Sequence, residues 1–234
     1  SHPNIIHAYD FAEENGLPYI VMEFVEGIDT ARLAGKLGAL AWPQAAEYIR
    51  QAAAGLHAAH KAGLVHRDVK PGNLLVDSTG AVKVLDLGLV SALDQPHSDS
   101  LTVDQDQLGT IDYIAPEQAL DSHKADARSD IYSLGGTLYG LLTGRPPFLD
   151  HSTARKLILH QTEMPPSIPS LRPDVPAELC DIVWRMLAKQ PDDRPQTMTE
   201  VHDLLAPFAR QEQPPYDVSL IKVRREAFDP FLRK

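Results

Sequence analysis

At 234 residues, with 43% hydrophobic and 23% charged side chains, the chain has enough apolar material for a sizeable core and too much for wholesale disorder. A net charge of −10 disfavours a nucleic-acid role, which calls for a basic face to neutralise phosphates, without excluding a local basic patch. The single cysteine excludes an internal disulfide. With no signal peptide and no apolar run long enough to span a bilayer, the expected compartment is the cytoplasm.

Ile5 to Phe11 and Leu17 to Glu23 read as short strands joined by the polar turn Glu13-Glu14-Asn15-Gly16. From Pro43 to Ala62 an alanine-rich run carries its apolar residues on one face and ends at Gly63, which suits a helix with a glycine C-cap. His57 and His60 lie three apart on that helix. Without a third ligand at suitable spacing they are expected to pack or face solvent rather than bind metal. Leu74 to Val76 and Val82 to Leu85 flank Asp77-Ser78-Thr79-Gly80, a second hairpin. This ribbon places Asn73 and Asp86 at its opposite ends, from which both can face one metal ion. A polar loop then runs from Asp86 to Gly109, and long loops that interrupt a compact domain are usually functional. Asp130 opens a segment that is apolar all round to Leu142, the pattern of a buried helix. Further helices are expected near Ser152 to Thr162, Ala177 to Ala188 and Thr197 to Phe208, the second carrying Cys180 as a buried core thiol. After Gln211 the composition changes, with prolines and a basic pair at Arg224 and Arg225, and reads as a linker or tail.

Three motifs follow one another in order: His66-Arg67-Asp68-Val69-Lys70-Pro71-Gly72-Asn73, then Asp86-Leu87-Gly88, then Ala115-Pro116-Glu117. Phosphoryl transfer needs a carboxylate to orient the attacking hydroxyl and take its proton, and oxygen ligands to hold Mg²⁺ on the phosphates. Asp68, Asn73 and Asp86 supply those groups in that order. In these motifs the chain resembles the catalytic half of a protein kinase, of bacterial serine/threonine type in phrases such as HKAGLVHRDVKPGN and IAPEQAL. The resemblance covers Ser1 to roughly Phe208. It implies an α+β, protein-kinase-like fold: N-lobe strands and hinge over 1–27, a mostly α-helical C-lobe over 28–210, and a tail over 211–234. The chain opens with Ser1 and contains neither a GxGxxG loop nor a VAIK-type lysine, so it looks truncated, and the isolated chain is expected to transfer little phosphate.

The resemblance also implies roles. Asp68 accepts the substrate hydroxyl proton, Lys70 neutralises charge developing on the γ-phosphate, and Asn73 and Asp86 hold Mg²⁺. Glu23, Val25 and Leu75 surround ATP, with Met22 as gatekeeper. Lys70 and Thr110 resemble the serine/threonine-specific pattern, in which the Thr110 hydroxyl bonds Asp68 and Lys70; the alternative is an ordinary loop hydroxyl. Arg67 is expected to pair with a phosphate on the long loop, with Thr102 the first candidate acceptor and Ser100 and Ser98 close behind. Glu117 and Arg194 resemble a buried structural ion pair, and Asp130 a helix-start carboxylate bonded to the catalytic loop. The expected partners are ATP, Mg²⁺ and proteins bearing serine or threonine acceptors, with autophosphorylation as one case. A non-catalytic binding module of the same fold is the alternative. A small-molecule phosphotransferase would lack the full segment from Asp86 to Glu117.

Overall fold

Strands β1 (Ala8–Glu14) and β2 (Leu17–Met22) form an antiparallel hairpin in a computed structural model that describes residues 1–14, 17–87, 109–121, 124–149 and 151–209. β1 starts later than the apolar pattern suggests because the preceding residues are engaged elsewhere. Ile5 bridges Val84 in parallel, the Ile6 N–H donates to the Val84 carbonyl, and Asn4 donates from Nδ2 to the Val82 carbonyl. Much of the hairpin is exposed, with Tyr9 and Phe11 on β1 and Leu17 and Tyr19 on β2 open to solvent. A two-stranded ribbon of this kind is marginal alone. Its base is tied down by Glu23, whose carboxylate accepts from the His7 N–H at 2.8 Å and from Lys83 Nζ at 2.7 Å.

β3 (Gly27–Asp29), β4 (Leu74–Asp77) and β5 (Val82–Val84) make a second antiparallel sheet in the order β3-β4-β5. Gly27 is demanded by this pairing, since a Cβ there would lie 2.6 Å from the Val76 carbonyl oxygen. The β4–β5 turn forms as its sequence predicts: Asp77 Oδ1 accepts from the N–H groups of Thr79 and Ala81, and Gly80 takes φ 84°. One expectation is corrected here. Asn73 and Asp86 stand at the same open end of this ribbon, where the Leu85 N–H donates to the Asn73 carbonyl at 2.9 Å. A hairpin brings its entry and exit residues together rather than apart.

Helix α1 (Thr30–Leu37), which sequence patterning did not indicate, is capped by Asp29, whose carboxylate accepts from the Arg32 N–H. α2 (Trp42–Lys61) matches the alanine-rich run, with Pro43 in its first turn and Gly63 just past its end at φ 78°. α3 (Pro116–Leu120) leads into α4 (Ala127–Thr143), where every residue from Ser129 to Leu142 is buried. α4 packs against α2 and against α7 (Ala177–Met186). Around it lie α5 (Thr153–Thr162), the short α6 (Ile168–Leu171) and α8 (Met198–Leu205), the last packed on α2. Cys180 is buried on α7 as expected. Gly135 and Met186 show how closely α4 meets α7: a Cβ on Gly135 would lie 2.7 Å from the Met186 Cβ. Among the described residues no helix is long and apolar enough to cross a membrane.

Glu117 on α3 and Arg194 form the bidentate pair that the sequence suggests, at 2.8 Å for each guanidinium nitrogen. Arg194 is 2% exposed and also donates to the carbonyls of Arg128, Ala188 and Lys189. Burial works to raise the Glu117 carboxyl, but the hydrogen bonds from Arg194 and Ser129 outweigh it and hold the group below the ordinary carboxylate range. Replacing Glu117 by Ala leaves Arg194 buried and unpaired. Chemical denaturation should show Glu117→Ala destabilised by about 3–5 kcal/mol, whereas Asp174→Ala, on the exposed Arg172 pair, should change stability far less.

A second buried group lies at the α4–α5 contact. His160 is fully buried, with Nδ1 2.9 Å from the Tyr132 hydroxyl and its ring edge-on to Phe148. Burial first, and the Lys189 ammonium second, push its imidazole down from 6.5 to about 3. As pH falls the unfolded chain therefore takes up this proton first. The stability that neutral His160 contributes is complete above 6.5 and is lost between 6.5 and about 3. Going from pH 7 to pH 5 should cost about 2 kcal/mol at about 1.4 kcal/mol per unit below the unfolded value. Urea titrations at the two pH values should show a shallower acid dependence for His160→Gln than for the unsubstituted protein.

Candidate active site

The loop from α2 to β4 carries the first motif, and its shape is dictated by one carboxylate. Asp130, in the first turn of α4 and fully buried, accepts from the His66 N–H and the Arg67 N–H at 2.8 Å each. It also accepts from His60 Nε2 at 2.7 Å. Asp130 thus bonds the backbone of this loop and has, in His60, a partner that the sequence does not indicate. His60 resolves into a support for Asp130, while His57 bonds Thr199 near the surface. The one signal for His60 was its place in the last turn of α2, just before the catalytic loop.

With two backbone groups held, the loop turns sharply at Arg67, which adopts φ 66°. Asp86 adopts φ 55°. Residues other than glycine are uncommon in this left-handed region, although aspartate tolerates it better than most. His66 locks the turn from both sides: its Nδ1 accepts from the Asp68 N–H at 3.2 Å and its Nε2–H donates to the Leu85 carbonyl at 2.8 Å. That pair of bonds requires the neutral imidazole protonated at Nε2. It joins the catalytic loop to the strand leading into Asp86.

Asp68 is held by its neighbours in the motif. Asn73 Nδ2 donates to the Asp68 carbonyl at 2.7 Å and to Oδ2 at 3.0 Å, and Lys70 Nζ lies 2.9 Å from the same Oδ2. Oδ1 is buried and has no partner among the described residues. Lys70 also donates to Thr110 Oγ1 at 2.7 Å. Thr110 thus reaches Asp68 through the Lys70 ammonium, which stands between them.

These groups open onto a cleft of about 580 Å³, lined by Asp68, Lys70, Asn73, Asp86, Gly109 and Asp112 among others. Because the Asn73 amide nitrogen is committed to Asp68, its Oδ1 is the atom left to face a cation. With the Asp86 carboxylate it offers the hard oxygen donors that suit Mg²⁺. His57 and His60 take no part, and no other group of three His, Cys, Asp or Glu residues able to hold a metal occurs among the described residues.

The remaining candidates divide. Leu75 is half-buried on β4, paired with Asp29 and Lys83. Val25 is half-buried in the connection from β2 to β3. Glu23 is more than a backbone position: its N–H donates to the His7 carbonyl, and the Lys83 ammonium holds its carboxyl below the ordinary range. None of the three lines the cleft around Asp68, so they stand apart from the groups just described. Arg67 presents a guanidinium whose buried Nε has no partner among the described residues, while its carbonyl accepts from Gln118 Nε2 at 2.6 Å. Thr102, Ser100 and Ser98 lie outside the described residues, as do Arg224 and Arg225.

Comparison with known proteins agrees with this geometry. The protein kinase domain family matches residues 1–205. The serine/threonine-protein kinase PknB of Mycolicibacterium smegmatis is 41% identical over 220 residues, covering 89% of this chain and 35% of the relative. PknB of Mycobacterium tuberculosis is 38% identical over 218 residues, covering 92% and 34%. A probable serine/threonine-protein kinase of Corynebacterium efficiens is 40% identical over 209 residues, covering 86% and 31%. The chain spans about a third of the length of these relatives. A carboxylate braced by lysine and asparagine, a second aspartate at the same open end of the ribbon and the matched domain agree: the chain belongs to the protein kinase family and resembles bacterial serine/threonine kinases of the PknB type.

Proposed function

We propose that this chain is the catalytic part of an ATP-dependent protein serine/threonine kinase, with Asp68 as the base. The observation that carries the reading is the bracing of that carboxylate at the cleft: Oδ2 is held by Asn73 and Lys70, while the buried Oδ1 has no partner among the described residues. Asp68 lines the cleft, so an acceptor hydroxyl entering there would donate to its carboxylate. As the hydroxyl oxygen bonds to the γ-phosphorus of ATP, the bond from phosphorus to the bridging oxygen breaks, ADP leaves with the electron pair, and Asp68 takes the hydroxyl proton. The Lys70 ammonium, 2.7 Å from Thr110, neutralises charge on the transferring phosphoryl group. Asn73 and Asp86 would hold Mg²⁺, which when bound offsets phosphate charge and orients the nucleotide. Glu23, Val25 and Leu75 would meet ATP from the hinge side.

Lys70 and Thr110 favour serine and threonine acceptors, and the full segment leading to Glu117 favours a protein substrate over a small molecule. In the full-length protein Asp68→Asn should lower kcat by about 10²–10⁴-fold, leaving nucleotide affinity nearly unchanged, as followed by radiolabel transfer and nucleotide titration. Equal transfer by the variant would remove Asp68 as the base, whereas no transfer by the unsubstituted protein would favour a non-catalytic binding role.

Arg67 carries a regulatory reading. Its left-handed backbone and unpartnered Nε suit pairing with a phosphate brought close by phosphorylation, with Thr102 the first acceptor to test. Thr102→Ala should lower the activity of the full-length enzyme by about tenfold or more and remove a phosphate from its peptide map. Unchanged activity with unchanged loop phosphorylation would exclude Thr102 and direct attention to Ser100 and Ser98.

A further inference from the structure

The acceptor wall of the cleft contains an ion pair that the catalytic motifs do not include. Asp112 lines the cleft beside Lys70, Gly109 and Tyr113, and its carboxylate accepts from Lys156 Nζ, on α5, at 2.5 Å. The two side chains are 19% and 15% exposed. They are buried enough for an unmatched charge to be felt strongly and open enough to meet a bound chain.

Both partners are fixed in place. Tyr113, next to Asp112, is packed against two glycines of α4; a Cβ on Gly136 would lie 3.3 Å from its Cδ1, and one on Gly140 3.3 Å from its hydroxyl. Thr110, on the other side, is bonded to Lys70. Lys156 is one turn before His160, which is fully buried against Tyr132 of α4. The pair is therefore set by two packed helices rather than by surface chance.

We propose that Lys156 is a specificity-determining residue: by neutralising Asp112 it makes the acceptor wall select polypeptide substrates with uncharged side chains flanking the serine or threonine. The proposal rests on the reading of the cleft as the acceptor site. Lys156 touches no reacting group and acts through Asp112. With Lys156 removed, Asp112 becomes a bare carboxylate on the wall and favours a cationic flank. With Asp112 neutralised, Lys156 becomes a bare ammonium and favours an anionic one.

The test uses the full-length enzyme and serine peptides with Lys, Ala or Glu at each of the two positions on either side of the acceptor. The unsubstituted enzyme should prefer Ala. Lys156→Met, which keeps most of the apolar stem, should shift kcat/KM towards the Lys peptides over the Glu peptides by about tenfold at one flanking position. Asp112→Asn should shift it the opposite way at that position, and Lys156→Arg should keep the original profile. A purely structural pair would lower kcat/KM for all peptides alike. If Lys156→Met fails to fold, as judged by thermal melting, Asp112→Asn alone decides. A uniform loss, or shifts of the same sign in both single variants, overturns the proposal while leaving the kinase reading intact. Absence of phosphate transfer to any serine or threonine by the unsubstituted enzyme overturns both.

Discussion

The buried carboxylate of Asp130 is the constraint on which the site depends. An aspartate with no solvent access is costly unless its oxygens are satisfied, and here three N–H donors do so. Two of them are the backbone groups of His66 and Arg67, so meeting the electrostatic demand of Asp130 also fixes the path of the catalytic loop. The left-handed backbone at Arg67 follows from this. A conformation that costs of order 1–3 kcal/mol in isolation is held because the neighbouring bonds over-determine it.

Charge balance then passes along the loop. Lys70 serves Asp68 and Thr110 together, so that one carboxylate oxygen is occupied and the other, buried, has no partner among the described residues. His66 contributes no charge but sets direction, bonded to Asp68 on one side and to the Leu85 carbonyl on the other. Through that carbonyl the positions of Asp68 and Asp86 become interdependent. Their relation is held by a neutral imidazole rather than by direct contact between two like charges.

Much of this was legible in the sequence because the informative residues are contiguous. Asp68, Lys70 and Asn73 interact within one motif, and the Asp77 turn and the Gly63 cap carry local chemistry that a short window contains. The Glu117–Arg194 pair spans 77 residues, beyond any local window, and only the family resemblance suggests it. What the sequence hid were contacts between elements whose residue types have common local explanations. His60 reads as one more polar residue on an amphipathic helix, and only the approach of α4 gives it Asp130 to bond. Lys156 reads as a solvated lysine until α5 is seen beside the segment that carries Asp112. The relation of Asn73 to Asp86 depends on topology rather than residue type, since residues far apart along the chain meet at the open end of a hairpin. Helix α1 escaped notice because it is short and begins directly after strand β3, so its cap at Asp29 looks like an ordinary loop aspartate.

Both walls of the cleft are anchored to α4. The loop carrying Asp68 hangs from Asp130 in its first turn, and the wall carrying Asp112 is seated by Tyr113 against Gly136 and Gly140 further along the same helix. Ser129, one residue before Asp130, bonds Glu117, which binds Arg194, so the segment leaving the Asp112 wall returns to the point from which the loop carrying Asp68 is held. The separation of Asp68 from Thr110 is thus measured along one buried helix rather than across a flexible junction. A site that must place its groups to within about 0.5 Å gains from such a common support. The all-round burial of α4 serves function as well as stability: a helix with a solvated face would have fewer directions from which to hold two loops in register.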